Sequence, residues 1–204
     1  MIALFAAALT YSLTGISLLT DASIFTGKPS YVAIHRDGSK ELMVITAQGA
    51  RIPTRVLIDF DAHKYYTMTD TSCSAGKYAS DRAPVNTDPV TGSEVLRVFF
   101  TAGRKPISET AQTLHGMAAK LQELPGPPKA EGRDPWSARK LWLADEGGYL
   151  LKIEAVDAEG KTVTVLEVKR LSFARPPARL FALPKDCPSD NSDWNDASSD
   201  FKPK

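Results

Sequence analysis

The chain carries two cysteines, Cys73 and Cys187, and the chemistry open to them depends on compartment. In an exported protein two such thiols pair, whereas in the cytosol they stay reduced. A bond between them would close a long loop and, on the chain-entropy model, stabilise the fold by at most about 4–5 kcal/mol. The alternative is two buried free thiols, since unpaired cysteine is among the most buried residue types. A second candidate group lies in "DFDAH", where Asp59, Asp61 and His63 could ligate a divalent cation. Alternation along a strand would send all three to one face only if the strand ran through. A turn at Asp61-Ala62 breaks that geometry and leaves a solvated hairpin tip. The acidic run "DNSDWND" (Asp190, Asp193, Asp196) lacks the central glycine and closing glutamate of a calcium loop. No metal site and no cofactor are therefore assigned.

Nucleophilic catalysis finds no better footing. The sequence holds no G-x-S-x-G, and its three histidines are isolated from one another. The adjacent carboxylates Asp145 and Glu146 fall in a turn, where they stay solvated and ionised and make poor general acids. No catalytic residue is nominated, and the chain is read as a non-enzyme.

Composition is that of an ordinary soluble domain: 43% hydrophobic, 24% charged and a formal net charge of +1. Lysine and arginine are interspersed with aspartate and glutamate and form no basic stripe, which sets nucleic acid aside as a partner. The N-terminus departs from this average. Ile2 to Thr20 contains no charged residue, and small residues follow at Thr20 and Ala22. The pattern predicts a signal peptide over 1–22 with Ser23 as the mature N-terminus, hence a periplasmic or secreted protein. A buried helix of the mature domain and an uncleaved anchor stay open as alternatives, because the n-region lacks a basic residue and the apolar run is long.

The elements that must position these groups are mostly strands. "SYVAIHR" and "ELMVITA" flank "DGSK", in which Asp37-Gly38 is a strong hairpin dipeptide. "TRVLIDF" and "HKYYTMT" follow, rich in β-branched and aromatic residues. Residues 70–92 read as a long loop around Cys73. In "SEVLRVFFTAG" the period changes: Val95, Leu96, Phe99 and Phe100 make one apolar face of a helix, with Ser93 as N-cap and Gly103 as stop. "ISETAQTL" and "MAAKLQEL" bracket a hairpin turn at His115-Gly116, and residues 125–135 are a loop by composition. The run 138–173 predicts a three-stranded meander, "ARKLWLA", "YLLKIEAVD" and "KTVTVLEVKRLSF", joined by "DEGG" and "AEGK". "LFALPKDC" closes the domain at Cys187, and 188–204 form a polar, disordered tail. A single domain over 23–187 is expected.

The stretch from Lys140 to Cys187 resembles the C-terminal part of exported bacterial proteins of the outer-membrane lipoprotein carrier (LolA-like, LolA-LolB) superfamily. The matching features are Lys140, Trp142 and Asp145, then Tyr149 to Lys152, Val168 to Leu171, and Phe181 to Pro184. "SETAQTLHGMAAKLQEL", with His115-Gly116 at its turn, is similar to a hairpin of that family, and "IHRDGSK" and "VLIDFDAHKYYTM" to its early strands. The resemblance covers about residues 30–187. It implies an α+β fold, a strongly curved antiparallel β-sheet forming a half barrel with few helices, whose concave apolar face receives acyl chains in carrier relatives.

Alternation places Val56, Ile58 and Phe60 on one strand face, Leu141 and Leu143 on another, and Leu151 and Ile153 on a third. One helix is little cover for so much sheet, so these residues are predicted to line a cavity for a hydrophobic acyl-chain ligand or a lipoprotein. The competing reading keeps the same fold with a filled core and gives it a protein partner in the bacterial envelope. Oligomeric state is not legible from the chain.

Overall fold

Two-residue turns set the architecture. His115 and Gly116 both take positive φ (50° and 81°), the backbone that matches the twist of a tight hairpin, and they join β7 (Ser108–Leu114) to β8 (Met117–Glu123). Gly38, at φ 59°, joins β2 (Ser30–Asp37) to β3 (Lys40–Thr46). The turn at Asp61-Ala62 joins β4 (Thr54–Asp59) to β5 (Lys64–Met68) as expected; the Asp59 carboxylate accepts from the Ala62 amide at 3.0 Å. The computed structural model describes residues 9–20, 28–78, 88–126, 137–157 and 160–188.

The expected meander is present as β9 (Ser137–Ala144), β10 (Leu150–Val156) and β11 (Thr162–Ser172). The sheet is antiparallel, open and eleven-stranded, in the order β6-β5-β4-β3-β2-β1-β11-β10-β9-β8-β7. With one α-helix among the described residues, this is the curved α+β fold that the sequence predicts. Its curvature is visible in one contact. Three strand spacings separate β8 from β11, about 14 Å on a flat sheet, yet His115 at the tip of the β7–β8 hairpin bonds Glu167 of β11 at 2.7 Å.

The helix α1 (Ser93–Thr101) turns Leu96 and Phe100 into a cluster with Leu141, Leu143, Ile153 and Leu166. Ser93 is not its N-cap. Gly92 holds that position without a side-chain bond, and the Ser93 hydroxyl donates to the Gly148 carbonyl at 3.2 Å. Ala102, in the left-handed region, and Gly103 end the helix where the sequence places the stop.

Two segments differ from the sequence reading. Within the expected 70–92 loop, Cys73–Lys77 form β6, an edge strand registered on β5 from Met68↔Cys73 to Lys64↔Lys77. Within the expected leader, Thr10–Ser17 form β1, which pairs with β2 along its whole length and with β11 on its other side. Tyr11 and Leu13 of β1 are buried. The cleavage site after Ala22, the loop at 127–135 and the tail beyond 188 lie outside the described residues.

Cys73 and Cys187 are disulfide-bonded, 5.1 Å apart at Cα and 114 residues apart in sequence. The bond fastens the C-terminal segment, whose 3-10 turn (Ala178–Phe181) lies against β3, so that Leu180 and Phe181 pack on Leu42, Leu57, Tyr66 and Met68.

Candidate functional site

The sheet register decides which of the expected cavity residues meet. Leu141 pairs with Ile153, which pairs with Leu166, so the three lie side by side on one face. Leu96 and Phe100 of α1 press onto that face and leave Leu141 and Ile153 with 0% exposure. Leu143 joins the same cluster, while Leu151, also at 0%, belongs to a neighbouring one with Tyr11, Leu13 and Val168. Val56, Ile58 and Phe60 sit elsewhere. Six strand spacings, about 29 Å along the sheet, separate β4 from β9. Phe60 lies beneath the Arg36 guanidinium, 4.1 Å from ring centroid. Ile58 pairs with Glu41, whose carboxylate bonds Arg36 at 3.1 Å in a buried ion pair. Burial pushes Glu41 upward in pKa, and the Arg36 charge opposes that rise.

On the other face of the central strands Trp142 pairs with Lys152, and Lys152 with Glu167. The Lys152 ammonium lies 4.8 Å from the Trp142 ring centroid and 2.7 Å from Glu154. The Trp142 indole donates to Gln112 of β7 at 2.9 Å. Glu167 accepts from Lys169 at 2.7 Å and meets His115 at the same distance. Burial raises its pKa, but the bonds from Lys169 and His115 and the charges of Lys169 and Lys152 outweigh this and hold it below the usual glutamate value. These groups neutralise one another across strands and act as a clamp on the hairpin.

Among the described residues the surface carries open pockets, of which two bear on the site. One, of about 330 Å³, runs over β1–β3 between Ile16, Tyr31, Val44 and Lys169. The other, of about 360 Å³, lies where the β7–β8 tip meets the β9–β10 turn, with Met117, Ala118 and Leu171 as floor and Tyr149, Phe173, Asp145 and Glu146 around it. The amide of Asp145 donates to the Ala118 carbonyl at 3.0 Å and thereby holds turn and tip together.

The sequence reading missed the cross-strand pairs. Arg36 and Glu41 could have been found, because the Asp37-Gly38 hairpin sets them opposite each other in register. Tyr11 with Asp88, and His115 with Glu167, carry no local signal. Among the described residues no group of three or more histidine, cysteine, aspartate or glutamate side chains is arranged to hold a metal, and no helix is long and apolar enough to cross a membrane.

No family model and no curated protein matches the sequence. Solved structures do share its fold. An uncharacterised conserved protein from Thermus thermophilus aligns over 88% of both chains with TM-score 0.51 and 10% identity. In the complex structure of Pseudomonas aeruginosa MucA/MucB, a chain aligns over 90% of this protein with TM-score 0.51 and 16% identity. This protein spans 58% of that chain's length. At such identities the likeness is one of fold.

Proposed function

We propose that the chain is a non-enzymatic periplasmic binding protein of the lipoprotein-carrier superfamily that engages a protein partner in the bacterial envelope. The observation that carries this reading is the filled core. The side chains best suited to line an acyl cavity, Leu141, Leu151 and Ile153, are at 0% exposure and in contact with other side chains. An acyl chain would have to displace Leu96 and Phe100 before it gained the roughly 0.8 kcal/mol per methylene that burial offers. The disulfide fits an oxidising compartment. The fold likeness to a MucA/MucB complex gives a precedent for this sheet in a protein–protein assembly.

Native mass spectrometry of the protein gently released from its host separates the two readings: a stoichiometric polypeptide supports the proposal, and a retained hydrophobic adduct supports a carrier. Titration with a fluorescent fatty acid is the complementary measurement. No saturable uptake is expected. Saturable uptake that Leu143→Glu or Ile153→Glu abolishes, with circular dichroism unchanged, would replace the partner reading by the acyl-carrier one.

A further inference from the structure

We propose that the pocket between the β7–β8 tip and the β9–β10 turn receives an arginine side chain of the partner polypeptide; this rests on the partner reading above. The local sequence "DEGGY" builds the pocket wall. Gly147 takes φ 78°, and a Cβ there would lie 2.4 Å from the Tyr149 ring, so glycine is what lets that ring fold back over the turn. Tyr149 in turn meets Phe173 at 5.4 Å between ring centroids and 41° between planes. Phe173 remains 50% exposed, an aromatic face with no full cover.

The charges on the rim say what occupies it. Asp145 has Lys120 at 3.9 Å, a loose and solvent-exposed pair. Glu146 has no described cation, so the pocket keeps a net negative edge beside an aromatic wall and an apolar floor. A guanidinium satisfies all three: it stacks flat on an aromatic ring, presents a fork to a carboxylate, and lays its methylenes along apolar surface. An ammonium meets the carboxylate only as a point charge. A purely apolar side chain would leave Glu146 beside it without a partner.

The test is a titration of the full chain, followed through backbone amide NMR shifts, with a blocked Gly-Arg-Gly peptide and its citrulline counterpart. Saturable shifts confined to Ala118, Gly147, Gly148 and Tyr149 are expected with arginine and not with citrulline. Glu146→Gln should weaken binding about three- to tenfold. Gly147→Ala, with the fold intact by circular dichroism, should weaken it by displacing Tyr149. Free L-arginine, whose own carboxylate meets the acidic rim, should bind less well than the peptide. Absence of saturation at about 10 mM peptide, equal shifts with citrulline, or tighter binding of free arginine overturns the proposal. A polypeptide seen by native mass spectrometry alongside such a failure would leave the partner reading standing and remove only this pocket from it.

Discussion

The Tyr11 hydroxyl donates to the Asp88 carboxylate, and both residues have 0% exposure. The bond joins the central strand to the turn that leads into α1, across 77 positions of sequence. Asp88 also accepts from the Val90 amide at 2.7 Å and the Thr91 hydroxyl at 3.1 Å.

Burial raises the Asp88 pKa from 3.8 to about 6, against the lowering effect of the Val90 and Thr91 bonds. The folded state therefore holds this proton more tightly than the unfolded chain. Its contribution to stability is full below the unfolded value near 4 and is lost as pH rises to about 6, a loss of about 3 kcal/mol. Urea unfolding at pH 5 and at pH 7.5 should show the protein less stable at the higher pH. Asp88→Asn, which cannot ionise, should flatten that difference. An unchanged pH dependence in the variant would mean that Asp88 does not titrate in this range.

Removing residues 1–22 would delete β1 and open the sheet between β2 and β11. We propose that Thr10–Ser17 stay in the mature protein as its central strand. Peptide mass mapping of the protein from its native host should recover peptides that include Tyr11. A chain beginning at Ser23 should lack a cooperative thermal transition. A stable, cooperatively folding Ser23 chain would restore the leader reading.

Gly15 sits where the β1–β11 register shifts, between Thr14 and Gly15. A Cβ at this position would fall 2.2 Å from the Glu167 carbonyl oxygen, a backbone atom that cannot swing away. Gly15→Ala should therefore cost about 1–3 kcal/mol or more, read as a lower urea midpoint. A change below about 0.5 kcal/mol, the usual range of a surface substitution, would show that the bulge has room to relax.

The Cys73–Cys187 bond holds Leu180 and Phe181 on the β3–β5 strands. Reduction, or Cys187→Ser, should lower the stability by at most about 4–5 kcal/mol on the loop-entropy model, read as a lower melting temperature. Limited proteolysis should then cut first in the 174–188 segment. Identical melting curves with and without reductant would show that packing alone retains it.

Much of the fold was legible because its determinants are local. A glycine that accepts positive φ, next to Asp37 or His115, marks a hairpin without reference to the rest of the chain. The alternation of "KLWLA" and the switch of period in "SEVLRVFF" likewise report strand and helix from neighbours alone. The disulfide was legible for a different reason: a chain with two cysteines allows one intramolecular pairing.

What sequence alone determined here is therefore nine of the eleven strands, the helix, the hairpin turns and one cross-link; β1 and β6 were not among them. Tertiary structure placed Thr10–Ser17 as a strand between β2 and β11, because an uncharged apolar stretch suits a strand as well as a leader and the pairing partners lie far off in sequence. It also decided that Leu141 and Ile153 are core. Alternation states which face a side chain is on only where the strand is regular, and the register shift between Leu150 and Lys152 puts Leu151 in a different cluster from Ile153. Whether the Leu141–Ile153 face is open depends on α1, whose Leu96 and Phe100 reach it across 45 and 53 positions of sequence, and no local pattern encodes a contact between segments so far apart.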